Sequence, residues 1–211
     1  MSRDNRDRPL IGKGYTYNVY DLGKGRVLKT EKTLPQILVD TYFYEGQDVK
    51  NYLKTIARLI DKSRVIEINR YVRLYVDPVI VGHPVFLGGI NYEQDRVEPL
   101  GTILERSGPA AKRDIIDQYI ESIFAHWENG FSDTVFNFTI NSGLGSGGNM
   151  VLLDFNEIVM SKQETQRRIV SKRWFRTWSY KQLDPGLQDY YSKRMDEIIT
   201  VDALNEHWRG K

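Results

Sequence analysis

The 211-residue sequence predicts an α+β protein with a β-rich N-terminal lobe and a helical C-terminal lobe. Three observations lead to this class. Residues 9–30 alternate β-prone runs with glycine turns, residues 108–130 carry one continuous apolar helical face, and the chain from about Ser161 onward follows a helical pattern. A chain of this length can form one sizeable domain or two small lobes that share a cleft.

The N-terminal lobe should begin with a strand, a tight loop, a second strand, a turn and a third strand. The turn is predicted at 21–26, where "DLGKGR" separates two β-prone runs. Residues 35–63 place apolar side chains at helical spacing, and Gly46 is a candidate break between two helices. Residues 70–87 are rich in β-branched residues, which predicts strands with Pro and Gly turns, and residues 90–104 should add one more strand.

The C-terminal lobe should contain a long helix over 108–130 that Gly130 caps. Two β-like runs follow, "TVFNFTIN" at 134–141 and "NMVLLDF" at 149–155, joined by a glycine-rich turn. We expect the N-terminal lobe to span 1–98 and the helical lobe 99–211, with a hinge at Glu98–Gly101. A ligand cleft between two lobes is a common place for function.

Composition excludes several classes of function. The net charge of +2 is too small to predict a nucleic-acid or membrane partner, and the absence of cysteine excludes disulfides and thiolate metal sites. The charged start "MSRDNRDRPL" lacks the apolar core of a secretory signal, and no apolar run approaches the roughly 20 residues that a membrane span needs. We therefore expect a cytoplasmic protein without a membrane partner.

The stretch "IGKGYTYNVY" brings two glycines together between β-prone runs. Gly12-Lys13-Gly14 would let the backbone approach a ligand closely, and its amides could hold phosphate oxygens. A Rossmann fingerprint is disfavoured because β-prone residues follow the glycines where a helix should begin, and the Walker pattern is absent. Lys29 ends the next apolar run, "RVLK"; it is either an exposed lysine of an edge strand or a point charge that meets nucleotide phosphates.

A second group of polar residues follows the long helix. Asp133 comes directly after it, Asn137 lies four residues on, and Asp154 ends the apolar run "MVLL". Asp and Asn oxygens are the hard ligands that Mg²⁺ takes alongside substrate phosphates. Each residue alone is typical of a turn or a cap, but their order after a glycine pair and a lysine favours a phosphate-and-metal site.

In this order, the motifs resemble a reduced protein-kinase-like fold, the superfamily of protein kinases and aminoglycoside phosphotransferases. Gly12, Gly14 and Val19 match the glycine-rich loop G-x-G-x-x-G-x-V, and "RVLK" resembles the third-strand V-A-I-K. The resemblance implies an ATP site in which Lys13 belongs to the phosphate-covering loop and Lys29 pairs with phosphates.

The remaining motifs carry the resemblance through residue 157. Glu45 on the predicted helix would pair with the lysine, and Val97 with Glu98 in "YEQDRVEPLG" would form the hinge strand that meets the adenine. "DTVFN" resembles the catalytic loop and "LLDFNE" the metal-binding D-F-G. By resemblance, Asp133 is the general base or hydroxyl orienter, and Asn137 and Asp154 are Mg²⁺ ligands.

Departures from the pattern keep three functions open. Tyr17 replaces the third glycine, the catalytic loop reads Phe-Ser-Asp with its Asp-to-Asn interval one residue short, Asn156 replaces the D-F-G glycine, and no A-P-E follows. The first hypothesis is an ATP- and Mg²⁺-dependent phosphotransferase with a protein or small-molecule hydroxyl acceptor. The second is a kinase-like module that binds nucleotide or protein without transfer. The third is a nucleic-acid-associated protein that uses the basic, aromatic-rich segment 167–181.

Overall fold

The computed structural model describes residues 8–14, 16–45, 49–133 and 135–210, without the side chains of Tyr44, Glu45 and Arg58. The chain divides into two compact units. One comprises Met1–Arg73 with His83–Arg96, and the other comprises Leu74–Gly82 with Val97–Lys211. The protein is α+β, with a β-sheet N-terminal region and a largely helical remainder.

The first unit is built on a five-stranded antiparallel sheet of order β1-β2-β3-β5-β4. Its strands are β1 (Leu10–Lys13), β2 (Tyr17–Gly23), β3 (Arg26–Glu31), β4 (Val85–Gly88) and β5 (Asn91–Asp95). Gly23 and Gly25 both adopt positive φ, at 70° and 72°, which glycine reaches without the steric cost that a Cβ brings. The predicted strand–loop–strand–turn–strand order is therefore confirmed.

Three helices lie between β3 and β4: α1 (Leu34–Glu45), α2 (Val49–Ile60) and α3 (Ser63–Tyr75). Helices α1 and α2 pack through Ile37, Ile56 and Leu59. Gly46, the candidate break, lies outside the described residues. The strand predicted from residue 70 is wrong, because α3 continues through Tyr75 and buries Ile68 and Val72 at helical spacing.

The second unit contains two small sheets and most of the helices. Strands β6 (Glu98–Pro99), β8 (Ser142–Leu144) and β9 (Met150–Leu152) form one sheet, and β7 (Ser132–Asp133) pairs with β10 (Ile158–Val159). The helices are α4 (Leu100–Arg106), α5 (Pro109–Glu128), α6 (Phe138–Asn141), α7 (Lys162–Val170), α8 (Trp178–Gln182), α9 (Pro185–Ile198) and α10 (Val201–His207). The helical prediction from Ser161 onward is confirmed.

The core of this unit forms where α5 packs against α9. Tyr119, Ile120 and Trp127 of α5 and Tyr191 and Met195 of α9 are fully buried. The predicted long helix is confirmed, as is its cap: Gly130 takes a φ of 74° and its N–H bonds to the Trp127 carbonyl at 2.9 Å.

The strand predicted over 134–141 is wrong. Phe136 has a φ of +53°, which no strand residue adopts, and a short helix follows at Phe138. Phe138 stacks between Tyr119 and Tyr191, with ring centroids 4.9 Å and 5.1 Å away, so the aromatic residues of this run face the helical core rather than one side of a sheet. Within the described part of the chain, no helix is long and apolar enough to cross a membrane.

Candidate functional site

The glycine-rich stretch forms the β1–β2 hairpin at the edge of the sheet. Gly12 pairs with Val19, and the Gly14 N–H donates to the Tyr17 carbonyl at 2.9 Å. Lys13 and Gly14 are exposed, whereas Tyr15 lies outside the described residues. The phosphate-covering role of these residues stays a prediction.

Tyr17 occupies the position where the resemblance expects a third glycine. Its side chain is buried, its hydroxyl donates to the Ile90 carbonyl at 3.1 Å, and its ring meets Tyr92 edge-on at 5.5 Å. The hydroxyl is therefore satisfied inside the sheet, as a buried tyrosine requires. Tyr17 is a core residue, which accounts physically for this departure from the glycine pattern.

Lys29 lies in the middle of the sheet, in register with Val19 on one side and Tyr92 on the other. It is a buried lysine, and its ammonium lies 5.3 Å from the centre of the Tyr92 ring, within the range of a cation–π contact. Glu45, its predicted ion-pair partner, ends α1, but its side chain is outside the described residues. The edge-strand alternative for Lys29 is wrong, because β3 lies between β2 and β5.

A second lysine of the same region forms a buried ion pair that the sequence did not reveal. Lys32 follows β3, its side chain is fully inaccessible, and its Nζ lies 2.5 Å from Asp40 Oδ2 on α1. An ammonium without access to water must be paired, and Asp40 supplies the charge. The eight-residue spacing across a strand end and a helix start carried no periodic signal that could have indicated this pair.

The predicted hinge residues belong to the second unit. Glu98 pairs with Leu144 in the β6–β8 ladder, and its carboxylate binds Arg106 at 2.5 Å. This ladder brings backbone so close to Gly143 that an added Cβ would lie 2.5 Å from the Glu98 oxygen and 2.9 Å from Val97. A glycine is therefore required at position 143, and adenine contacts from Val97 and Glu98 stay a prediction.

Asp133 ends β7 opposite Ile158 of β10 and is buried. Its Oδ1 accepts the Val135 N–H at 2.9 Å, while its buried Oδ2 has no hydrogen-bond partner within the described part of the chain. Burial is the main cause that raises the pKa of this carboxyl to about 7; the nearby carboxylates of Glu157 and Asp154 act in the same direction, and hydrogen bonds from the Val135 and Phe136 amides oppose them. Asp133 can therefore carry a proton at neutral pH.

Asn137 has its side-chain oxygen engaged by another part of the unit. Its Oδ1 accepts the Ser179 N–H at 3.3 Å, and Ser179 Oγ also lies 2.7 Å from Thr139 Oγ1 in a buried contact. These contacts connect Asn137 and Thr139 to Ser179 of helix α8. The predicted Mg²⁺ role of Asn137 stays a prediction.

Asn141, which the sequence did not single out, lies opposite Leu153, the residue before Asp154, across the β8–β9 hairpin. Ser142 pairs with Leu152, and one position outward the Leu153 N–H donates to the Asn141 carbonyl at 2.6 Å. Asn141 is buried and its amide nitrogen is unpartnered among the described residues, while Asp154 Oδ1 accepts the Asn156 N–H at 3.2 Å. The sequence alone did not give the hairpin register that places Asn141 opposite Leu153.

Two backbone pairings join the segment that begins at Asp133 and ends at Asn141 to the segment 153–158. The Asp133–Ile158 pair closes one end, and the Asn141–Leu153 hydrogen bond closes the other. Asp133, Asn141 and Asp154 all lie within this closed arrangement. Among the residues that the structure describes, no three His, Asp or Glu side chains cluster as a metal site.

The basic aromatic segment 167–181 is used for packing. Trp174 is buried and meets Phe136 edge-on at 5.8 Å, and Phe175 and Tyr180 pack against the same core. Arg167 and Arg168 pair with Glu164, and Lys172 pairs with Asp196 at 2.6 Å. Trp178 keeps half of its surface exposed, so the stacking surface that a nucleic-acid partner would need is small.

Comparison with known proteins finds distant likenesses among solved structures. No protein-family model and no curated protein matches the chain. Among solved structures, the chain is similar to one titled "Co-crystal structure of WbdD and kinase inhibitor LY294002", with 11% sequence identity and a TM-score of 0.42. The match covers 90% of this chain and 46% of that chain, so this chain spans about half its length. A likeness at this level carries no argument about function.

Proposed function

We propose that this protein is a kinase-like phosphotransferase that moves the γ-phosphoryl group of ATP to a hydroxyl acceptor with the help of Mg²⁺. The acceptor is a hydroxyl on a protein or on a small molecule. The glycine hairpin with Lys29 and the Asn141 amide would bind phosphates, and Asp154 with Asn137 would bind the metal. This assignment adds Asn141 to the residues that the motifs predict.

The observation that carries the proposal is the Asn141–Leu153 backbone hydrogen bond, which places Asn141 opposite the residue before Asp154 at one end of the β8–β9 hairpin. Asn141 is buried, and its amide N–H group has no partner among the described residues, so it would donate to a phosphate oxygen or a water rather than bind the metal. An amide oxygen and a carboxylate are suitable Mg²⁺ ligands when substrate phosphates complete the shell. Asn137 and Asp154 therefore fit the metal that the reaction needs.

The transfer needs few protein groups because positioning and charge neutralisation provide most of the catalysis. The acceptor oxygen forms a bond to the γ-phosphorus as the bond from that phosphorus to the bridging oxygen breaks, and ADP leaves. The hydroxyl proton passes to Asp133. A carboxyl with a pKa of about 7 is well matched to this role at neutral pH. When bound, Mg²⁺ would neutralise the charge that develops on the phosphate oxygens.

One observation favours a second candidate, a kinase-like module that binds nucleotide without transferring phosphate. Asp133 is only 4% exposed, and one of its oxygens holds the turn to Val135. A buried turn-forming carboxyl cannot reach an acceptor hydroxyl unless its loop opens. In this second candidate, Asp133 shapes the loop and Asp154 retains a role in nucleotide binding.

Turnover in the presence of Mg²⁺ separates the two candidates. Purified protein would be incubated with γ-labelled ATP, and release or self-transfer of the label measured for the native chain, Asp133→Asn and Asp154→Asn. The phosphotransferase predicts turnover that both substitutions reduce at least about a hundredfold. Binding of ATP with Mg²⁺, but no turnover above that of Asp154→Asn, would instead identify the binding module. Asp189→Asn, which changes an exposed carboxylate of α9, is the matched control.

A further inference from the structure

Helices α1 and α2 expose large apolar side chains that the core of the unit does not use. Inside the pair lie Ile37, Ile56 and Leu59. Outside it, Phe43 is 78% exposed and Val49 is 70% exposed. We call the exposed set the hairpin surface; it comprises Val39, Tyr42, Phe43, Val49, Leu53 and Ile60. Soluble proteins rarely leave such a group of large apolar side chains together without a partner.

The α2 part of this surface is a stripe with a basic border. Val49, Leu53 and Ile60 fall within an arc of about 40° around the helix, because successive residues turn by about 100°. Lys50 and Lys54 each follow a stripe residue by one position, and both are exposed. A helix with an apolar stripe, a cationic border and low overall hydrophobicity is the kind that lies in a bilayer interface.

The net positive charge of the chain lies in the segment that carries this surface. Residues 34–73, which span α1, α2 and most of α3, contain seven Lys or Arg against five Asp or Glu. The remaining sequence contains 23 Lys or Arg against 23 Asp or Glu. The charge of this segment is therefore complementary to an anionic surface.

Two aromatic residues stand at the end of α1, the helix end from which the chain continues to α2. The Tyr42 ring lies 6.2 Å from that of Phe43 and 6.4 Å from that of Tyr52 on α2. Tyr42 and Phe43 are both more than half exposed. Aromatic side chains are favoured at the level of lipid headgroups because they combine apolar area with tolerance of a wet environment.

We propose that the hairpin surface docks on a bilayer that contains anionic lipid, with α2 lying in the plane of the interface. We expected no membrane partner because no apolar run is long enough to span a bilayer. A helix that lies in the interface needs only one apolar stripe and cations that meet lipid phosphates. This placement is independent of the proposed phosphotransferase activity.

A second copy of the chain fits this surface less well. Two copies related by a two-fold axis would bring the same basic border against itself, and like charges in a close interface cost binding energy. An acidic protein partner would satisfy the charge, but the exposed Phe43 and Tyr42 fit the soft, wet headgroup layer without a shaped pocket.

The test is co-sedimentation of the full chain with vesicles of phosphatidylcholine alone or with added phosphatidylglycerol. We expect binding to the anionic vesicles that weakens as salt is raised, and little binding to the neutral ones. The double variant Lys50→Glu/Lys54→Glu should weaken binding at least about thirtyfold, since each lysine near an anionic surface contributes about 1 kcal/mol of binding free energy. Leu53→Glu should weaken it about as much through loss of apolar insertion.

Matched substitutions on another surface control for nonspecific effects. Val170→Glu is the control for Leu53→Glu and changes an exposed valine of α7. Lys181→Glu is the control for the lysine variants and changes an exposed lysine of α8. Both should bind anionic vesicles like the native chain, and all variants should keep the native unfolding midpoint because the changed side chains are exposed.

Three results would overturn the proposal. The first is no binding to anionic vesicles, which would leave an acidic protein as the better occupant. The second is binding that Leu53→Glu and the double lysine variant leave unchanged. The third is a lipid-free dimer, measured by sedimentation velocity, that Leu53→Glu dissociates, because the surface would then join two copies of the chain.

Discussion

Asp133 gives the sharpest quantitative prediction, because its burial costs stability once the carboxyl ionises. The perturbation is Asp133→Asn, which keeps an oxygen to accept the Val135 N–H but cannot ionise. The carboxyl has a pKa raised to about 7 by burial, against an ordinary value of 3.8. The folded state therefore holds the proton over a range in which the unfolded state has lost it.

The size and direction of the effect follow from proton linkage. Since the raised pKa belongs to the folded state, the contribution of Asp133 to stability is greatest below pH 3.8 and is lost as the pH rises through about 7. Between pH 5 and pH 8 this one group should lower the free energy of unfolding of the native chain by about 3 kcal/mol. Asp133→Asn should not show that loss, so its stability relative to the native chain should rise by about the same amount.

The assay is urea unfolding followed by circular dichroism at pH 5 and pH 8 for the native chain, Asp133→Asn and the control Asp189→Asn. Other titrating groups are common to all three chains, so their contributions cancel in the differences. A difference between native chain and Asp133→Asn that does not change with pH would refute the reasoning. So would the same pH-dependent gain in Asp189→Asn, because that carboxylate is exposed.

Three further predictions concern stability. Burial lowers the pKa of His126 to about 4, so the unfolded state takes up the proton first as pH falls below 6.5. The free energy of unfolding of the native chain should therefore fall by about 2 kcal/mol between pH 7 and pH 5 through this group. Urea unfolding of His126→Phe should not show this loss. Asp40→Asn should destabilise the first unit by about 2 kcal/mol or more because it leaves the inaccessible Lys32 ammonium unpaired, and Lys32→Met should cost less; equal losses in calorimetry would contradict this. Gly143→Ala should lower stability by about 2 kcal/mol, since its Cβ would lie 2.5 Å from the Glu98 oxygen, and an unchanged unfolding midpoint would show that the ladder can adjust.

The elements that the sequence predicted well are those in which local chemistry and tertiary packing agree. Gly23 and Gly25 supply positive φ at the β2–β3 turn, and the apolar face of α5 recurs at helical spacing from Ile115 to Trp127. In both places a short window contains the physical cause of the structure. The α+β class followed from these elements.

The two wrong strands fail for the opposite reason. Tyr71, Val72 and Val76 have high β propensity, but Val72 and Ile68 are buried four residues apart, and that contact is tertiary. In the run 134–141, Phe136 and Phe138 fit an alternating pattern, yet one meets Trp174 and the other lies between two tyrosines of α5 and α9. These residues do have high β propensity, but the side chains that they pack against determine the backbone conformation.

The candidate site was predictable in its outline and not in its detail. The order of glycine pair, lysine, Asp133 and Asp154 is visible in the sequence. The importance of Asn141 depends on the β8–β9 register, and the Lys32–Asp40 pair depends on how α1 packs near the end of β3. Neither follows from spacing alone, because both arise from contacts that folding creates.

The most direct test of the central claim is the affinity for ATP measured by titration calorimetry with and without Mg²⁺. The account predicts binding that requires Mg²⁺, and a loss of at least about tenfold in Asp154→Ala and in Lys29→Ala, with Lys181→Ala unchanged. No heat of binding at millimolar ATP, or binding that is the same without Mg²⁺ and in Asp154→Ala, would contradict it.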